Sequence, residues 1–114
     1  MNKPLILGIA ALLALLFFTL RATTPDLAAS DFSQEHDIVM FTAPWCGVCD
    51  QARRHLDRRG VAYLELDIEA SASARQQFEQ AAGRGVPLAY FGEQRISGFS
   101  PTLYDQALRL GSTD

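Results

Sequence analysis

Lysine is absent from residues 25–114, and arginine does not compensate for its absence. Eight arginines stand there against thirteen aspartates and glutamates, which gives this part of the chain a formal net charge of −5. Binding to nucleic acid depends on a basic surface that neutralises phosphates. The charge balance therefore argues against a nucleic-acid partner. The length of residues 25–114 fits one acidic domain.

Charge is also absent from the sixteen residues between Leu5 and Leu20. Sixteen helical residues rise about 24 Å, against a hydrocarbon core of about 30 Å. We predict a transmembrane anchor in residues 1–22, with a cleaved signal segment and a buried soluble helix as alternatives. Lys3 precedes the run, and acidic residues follow it soon after, so the positive-inside rule predicts an extracytoplasmic, periplasmic domain. Residues 23–35 are predicted to form a tether, and residues 36–111 the domain.

Cysteine is scarce, since Cys46 and Cys49 are the two in the chain. Two cysteines exclude a scaffold of several disulfides and a four-cysteine metal site. A zinc site would need two more ligands, and the available histidines are His36 and His55, which we predict to be ordinary surface residues. A structural disulfide and an iron–sulfur cluster shared between two chains stay as alternatives. The C-x-x-C spacing favours redox exchange over each of them.

The order of apolar runs and helix signals predicts a βαβαββα domain. Strands are expected at residues 37–42, 61–67, 87–91 and 94–97. One helix should follow Cys46 and end at Gly60, a second should begin near a Ser73 cap, and a third should begin at Pro101. Phe78, Phe91 and Leu103 are expected in the core.

This order places Cys46 where the first strand ends and a helix begins. A thiolate, not a thiol, attacks a disulfide, and a helix N-terminus stabilises the negative charge. Cys49 follows one turn later on the inner face, where it can resolve a mixed disulfide formed at Cys46. We therefore predict Cys46 as the nucleophile, Cys49 as the resolving thiol and Trp45 as an apolar surface beside them. Asp50 should oppose the thiolate because its charge lies in the first helical turn.

Over residues 37–110, the chain resembles the thioredoxin/glutaredoxin superfamily. The resemblance lies in F-T-A-P-W-C-G-V-C, in Val86-Pro87 and in I-S-G-F-S-P from Ile96 to Pro101. It implies a thioredoxin-like α/β fold, with a mixed four-stranded sheet flanked by helices. It also implies a cis bond before Pro87 and a backbone at Val86 that pairs with an extended substrate or with glutathione. The site residues carried over are Cys46, Cys49, Trp45, Val86, Pro87 and Gly98, together with Arg84 as a group that binds a carboxylate.

The glutathione-binding pattern of glutaredoxins is incomplete in this chain. Ala43 stands where many glutaredoxins have a lysine, Val48 replaces an aromatic residue, and Ser100 replaces the acid that pairs with the glutathione amino group. Met40 stands where thioredoxins carry a buried aspartate. The S-G-F sequence at Ser97 is most similar to the glutaredoxin-like redoxins that donate electrons to ribonucleotide reductase. Because Ala43 replaces the lysine and Ser100 replaces the acid, dithiol exchange is favoured over glutathione-dependent chemistry.

The sequence is compatible with three functions. The leading hypothesis is a membrane-tethered, glutaredoxin-like thiol–disulfide oxidoreductase that acts on protein disulfides. It would have no bound cofactor or metal, and glutathione is its alternative co-substrate. The second is a non-enzymatic C-x-x-C module that binds an iron–sulfur cluster or a soft metal at a subunit interface, and the third is an inert interaction domain. The expected partners are disulfide-containing proteins and, through the N-terminal helix, the membrane. We expect a monomer.

Overall fold

The computed structural model describes residues 3–20 and 26–111. An N-terminal helix is followed by a four-stranded mixed sheet with helices packed on both faces. The βαβαββα order and the mixed sheet confirm the fold predicted for the domain. In chain order the elements are α1 (Lys3–Leu20), β1 (Ile38–Thr42), α2 (Gly47–Arg58), β2 (Leu64–Asp67), α3 (Ala72–Gln80), β3 (Leu88–Phe91), β4 (Gln94–Ser97) and α4 (Pro101–Gly111).

The sheet brings the ends of three strands to one edge. Its strand order is β2-β1-β3-β4, with β1 parallel to β2 and antiparallel to β3. The register pairs Thr42 with Asp67 and Phe41 with Leu88. The carboxyl ends of β1 and β2 and the amino end of β3 therefore meet at the same edge. The segments that leave this edge carry most of the predicted site residues.

Strand β1 is buried along its whole length because both of its faces are covered. Successive side chains of a strand point to opposite faces. Val39 and Phe41 pack with Phe78 of α3 on one face. Ile38 and Met40 pack on the other face, which α2 and α4 cover with Ala52, Leu56, Tyr104 and Ala107.

Three details differ from the sequence-based expectation. Strand β2 begins at Leu64 rather than at residue 61. Helix α3 begins one residue after Ser71, whose Oγ accepts a hydrogen bond from the N–H of Ala74 at 3.2 Å, so the cap is not Ser73. Phe78 and Phe91 are buried as predicted, but Leu103 is exposed, and Tyr104 is the large α4 side chain in the core.

The described part of the predicted tether packs against the domain. Ala29 is buried in a 3₁₀ turn (Ala29–Asp31), and its N–H donates to the carbonyl of Gly92 at 2.7 Å. The ring of Phe32 lies 5.2 Å from that of Phe41 and 5.0 Å from that of Tyr90, between centroids. Aromatic contacts of this kind add to the apolar area that is buried. Leu27, Ala29 and Phe32 are therefore part of the core around β1 and β3.

Helix α1 is apolar, and its described side chains, residues 3–19, are all exposed. In the described ranges of the chain, no helix is long and apolar enough to cross a bilayer. The transmembrane anchor predicted for residues 1–22 is therefore not supported. The 18 residues of α1 rise about 27 Å, short of a hydrocarbon core of about 30 Å. The predicted boundary between residues 22 and 23 lies outside the described residues.

His55 is buried, which corrects its expected place at the surface. Its Nε2 lies 2.8 Å from Asp105 Oδ1, and its ring packs against the rings of Phe99 and Tyr104. Arg59 donates from Nε and Nη2 to the same carboxylate at 3.0 and 2.9 Å. This polar group joins the C-terminal end of α2 to α4.

The Asp105 carboxylate gives this junction a pH dependence. Hydrogen bonds from Arg59 and then from His55 lower the pKa of Asp105 to about 2, whereas an unfolded aspartate has a pKa of about 3.9. Because the folded pKa is the lower one, the stabilisation is complete above about pH 4 and is lost as pH falls towards 2. We expect Asp105→Asn to lower the free energy of unfolding at neutral pH, by a difference that shrinks below about pH 4.

Denaturant titrations of wild type and variant across this pH range measure the difference. Glu79→Gln is the control, because Glu79 is exposed and pairs with Arg75 within one helix. Such pairs contribute little to stability. An Asp105→Asn effect that stays constant from neutral pH to pH 2 would contradict the assignment.

Candidate active site

The two cysteines lie where the chain passes from β1 into α2. A short turn follows Thr42, closed by a hydrogen bond of 3.2 Å from the N–H of Cys46 to the carbonyl of Ala43. Cys46 is the N-cap of α2 and has extended backbone angles, φ −89° and ψ 101°. Cys49 lies in the first turn of the helix, with its side chain facing the core.

The sulfur of Cys46 takes the place of the side-chain oxygen that usually caps a helix. The backbone N–H of Cys49 donates to Cys46 Sγ at 3.1 Å. Unpaired N–H groups and the helix dipole stabilise negative charge at this position. The predicted placement of Cys46 at a helix N-terminus is therefore observed, and its surroundings favour a thiolate.

The two cysteines differ in their access to solvent. They are joined as a disulfide, with their Cα atoms 5.2 Å apart, so the structure holds the oxidised form of the pair. Cys46 is 6% exposed, whereas Cys49 is 0% exposed. An incoming molecule can reach the sulfur of Cys46 before it can reach that of Cys49.

Three of the other predicted residues meet beside Cys46. The Val86–Pro87 peptide bond is cis, as the resemblance implies. The carbonyl oxygen of Val86 lies 3.7 Å from Cys46 Sγ. Gly98 has a positive φ of 81°, which favours glycine, and its N–H donates to the carbonyl of Pro87 at 2.8 Å. The loops before β3 and after β4 thus form one wall of the site.

Trp45 lies exposed on the other side of the nucleophile. Its side chain is 69% exposed, and its Nε1–H donates to Glu69 Oε1 at 2.6 Å. Glu69 belongs to the loop after β2, at the same edge of the sheet. No local sequence pattern points to Glu69, because 24 residues separate it from Trp45.

The charge of Asp50 is offset by a neighbouring cation. Arg53 binds Asp50 within the helix, and its Nε donates to Glu65 Oε1 on β2 at 2.6 Å. The hydrogen bond to Glu65 raises the pKa of Arg53 further above its usual range. The buried hydroxyl of Thr42 donates to the same carboxylate at 3.1 Å. Asp50 therefore opposes a thiolate at Cys46 less than its charge alone predicts.

The three residues that correspond to glutathione-binding positions differ in their exposure and contacts. Arg84 is exposed in the loop before Val86, and the described part of the chain offers its side chain no hydrogen bond or ion pair. Ala43, by contrast, is 0% exposed and packs in the core, so a lysine there would need space that the fold does not provide. Ser100 caps α4, accepting from the N–H of Leu103 at 3.3 Å.

Metal ligation was the second chemistry considered for the cysteine pair. Within residues 3–20 and 26–111, no group of three or more His, Cys, Asp or Glu side chains is arranged to hold a metal ion. Cys46 and Cys49 supply two soft ligands, and these are joined to one another. The geometry of this pair matches redox exchange directly.

Comparison with known proteins agrees with this geometry. Residues 38–96 match the family model described as glutaredoxin. A glutaredoxin of Neisseria meningitidis serogroup A is 35% identical over 65 residues, which cover 55% of this chain and 76% of that protein.

Two solved structures extend the comparison. The glutaredoxin of Archaeoglobus fulgidus superposes with a TM-score of 0.61 over 69% of this chain and 92% of its own, at 18% identity, which is a likeness of fold. The NrdH-redoxin of Escherichia coli, described as a glutaredoxin-like protein with a thioredoxin-like activity profile, has a TM-score of 0.54 at 25% identity and covers 64% of this chain and 92% of its own. With its cysteine pair at disulfide distance at the start of α2, the chain belongs to the glutaredoxin family of thiol–disulfide oxidoreductases, which have the thioredoxin-like fold.

Proposed function

We propose that the chain reduces disulfides of protein substrates by dithiol exchange, with Cys46 as the nucleophile and Cys49 as the resolving thiol. The observation that carries these roles is the difference between the two sulfurs. Cys46 accepts a helical N–H at its Sγ at 3.1 Å and is 6% exposed, whereas Cys49 is 0% exposed. A reachable and stabilised thiolate is the attacking species in disulfide exchange.

The first half of the cycle forms a mixed disulfide. In the reduced protein, the Cys46 thiolate attacks one sulfur of the substrate disulfide. A bond forms between Cys46 and that sulfur while the substrate S–S bond breaks. The displaced substrate sulfur leaves as a thiolate and takes a proton from water.

The second half releases the substrate. The Cys49 thiol gives its proton to solvent and attacks Cys46 Sγ, which forms the Cys46–Cys49 disulfide seen in the structure. The second substrate sulfur leaves and is protonated, so two electrons have passed from the protein to the substrate. A thiol reductant, either glutathione or a dithiol protein, returns two electrons and restores both thiols.

The wall beside Cys46 suggests how a substrate chain is held. The family resemblance assigns the backbone of Val86 to pairing with an extended substrate segment. In support, the Val86 carbonyl lies 3.7 Å from Cys46 Sγ, so a segment aligned there would bring its own sulfur to the nucleophile. Pairing of backbone groups is independent of side-chain identity, which suits a reductant of varied protein disulfides.

Protein disulfides are the proposed substrates, ahead of small glutathione disulfides. Two groups that hold glutathione in its usual site are replaced here by the buried methyl of Ala43 and the uncharged hydroxyl of Ser100. The thioredoxin-like activity profile stated for the E. coli NrdH-redoxin supports the same choice. Arg84 remains as an exposed cation that can bind a carboxylate.

We also propose that the domain works outside the cytoplasm. The support comes from the charges around the apolar run, with Lys3 before it and Asp26 and Asp31 after it. Positive charge is retained on the cytoplasmic side when such segments are inserted.

The roles of the two cysteines can be separated by substitution. We expect Cys46→Ser to lower insulin-disulfide reduction by roughly a hundredfold or more, because the nucleophile is lost. Cys49→Ser should leave Cys46 able to attack but unable to be released, so long-lived mixed disulfides should accumulate. Non-reducing gels and mass spectrometry of trapped partners measure this difference. Trapping by Cys46→Ser instead of Cys49→Ser would reverse the assignment.

The preference against glutathione can be tested at Ser100, since Ala43 has no room for a lysine. Aspartate and asparagine both cap helices well, and aspartate alone adds the missing charge. We expect Ser100→Asp to raise turnover of a glutathione mixed disulfide by up to about fivefold, the effect of one partly exposed charge contact. Ser100→Asn is the matched control and should not raise it. An equal rise in both variants, or wild-type glutathione turnover as fast as insulin reduction, would contradict the preference.

The location can be tested by fusing, after Asp114, a reporter enzyme that is active only outside the cytoplasm. We expect an active fusion, because the charge pattern favours export of the domain. The same fusion with Lys3→Glu and Asp26→Lys, which reverses the charge difference across the apolar run, should lose activity. An inactive wild-type fusion that is present at full length in the cytoplasm would overturn the proposal.

A further inference from the structure

The surface beside the nucleophile carries an unusual exposed aromatic side chain. Among the aromatic residues in the range 26–111, Trp45 is the exposed one, with 69% of its surface accessible to solvent. The others are buried or half-buried in the two cores. Val48, on the far side of Cys46 in the sequence, is 45% exposed. Exposed apolar residues thus lie on both sides of Cys46 in the sequence, and a partner side chain gains most by binding on surface of this kind.

The indole of Trp45 is held in place. Its N–H donates to Glu69 Oε1 at 2.6 Å, a short bond to an acceptor that is charged. The loop that carries Glu69 is itself fixed by Asp67, whose Oδ1 accepts from the N–H groups of Glu69 and Ala70 at 2.8 and 3.1 Å. A further bond of 3.0 Å from the N–H of Ile68 to the carbonyl of Thr42 ties this loop to β1. The orientation of the indole therefore depends on Glu69.

Glu69 differs from the other acid near the nucleophile in what it binds. Asp50 is paired with the cation Arg53. Glu69 is exposed and binds a neutral indole, which leaves its negative charge uncompensated. The Glu69 carboxylate lies 2.6 Å from the indole nitrogen of Trp45, the residue next to Cys46. A substrate side chain that packs on this indole therefore comes within a Debye length of the charge, which is about 10 Å at 0.1 M salt.

We propose that Glu69 is a specificity-determining residue of the redox site: it orients Trp45 as a platform for an apolar substrate side chain, and its charge favours substrate segments that carry Lys or Arg within two residues of the reacting cysteine. This inference rests on the proposed dithiol exchange at Cys46. Glutathione carries a net negative charge and lacks a large apolar side chain, so it fits neither half of this surface.

The test uses two peptide disulfides that are identical except for Arg or Glu two residues before the cysteine, with Leu next to it. At low salt, we expect the wild-type protein to reduce the Arg peptide with a kcat/KM about three- to tenfold higher than the Glu peptide. The ratio should fall towards one at about 1 M salt, where the Debye length is about 3 Å.

Substitutions at Glu69 separate its two roles. Glu69→Gln keeps a hydrogen-bond acceptor for the indole but removes the charge, so we expect the ratio to fall to near one with KM for the Glu peptide unchanged or lower. Glu69→Ala removes both, and KM should rise for both peptides with a smaller change in kcat. Glu79→Gln removes the same charge from the far end of α3 and should leave the ratio at its wild-type value.

The chain has one tryptophan, so its fluorescence reports the Trp45 indole directly. We expect Glu69→Ala to lower the fluorescence anisotropy of Trp45, and Glu69→Gln to preserve it. The inference is overturned if wild type reduces both peptides equally at low salt. It is also overturned if Glu69→Gln, like Glu79→Gln, leaves the ratio of kcat/KM for the Arg and Glu peptides at its wild-type value. If wild type reduces neither peptide nor insulin, the proposed dithiol exchange itself fails.

Discussion

The hydrogen bond of 3.1 Å from the N–H of Cys49 to Cys46 Sγ connects the chemistry of this protein to its fold. A helix must satisfy the N–H groups of its first turn, and here a sulfur atom does so in place of a hydroxyl or carboxylate oxygen. The same bond stabilises negative charge on the sulfur, because the helix N-terminus is electropositive. Folding of α2 therefore prepares the nucleophile, and the second cysteine supplies both the N–H group and the thiol that later resolves the mixed disulfide.

The cap can be placed accurately because β1 leaves it little freedom. Both faces of β1 are covered, and its neighbours β2 and β3 end or begin at the edge where Cys46 lies. The groups that form the site come from this edge: the Val86 carbonyl before β3 and α2 lie against the sulfur, and the Glu69 loop after β2 binds Trp45. Phe32 closes the same core from outside the strands by packing on Phe41 and Tyr90. The position of the active-site groups thus depends on the packing of Phe32, Phe41 and Tyr90, which lie away from the reacting atoms.

The sequence could predict the features that depend on local periodicity and local signals. The βαβαββα order, the dithiol at a helix start and the cis bond at Pro87 follow from short patterns or from a resemblance that rests on them. The features that it could not predict pair residues far apart in the chain. Trp45 and Glu69 are 24 residues apart, and His55 and Asp105 are 50 apart. Ala43 belongs to the core, and no neighbouring residue reveals this burial.

Asp50 and Glu69, two acids near the nucleophile, show how context decides the effect of a charge. Asp50 lies in the first turn of α2, where an unpaired carboxylate would raise the energy of the thiolate. Arg53 offsets it, and Glu65 with the Thr42 hydroxyl holds that arginine in place. Glu69 is outside the helix and bound to an indole, so its charge acts towards solvent and incoming substrate rather than along the helix axis. One negative charge is thus neutralised where it would hinder the reaction, and another is left where it can select the partner.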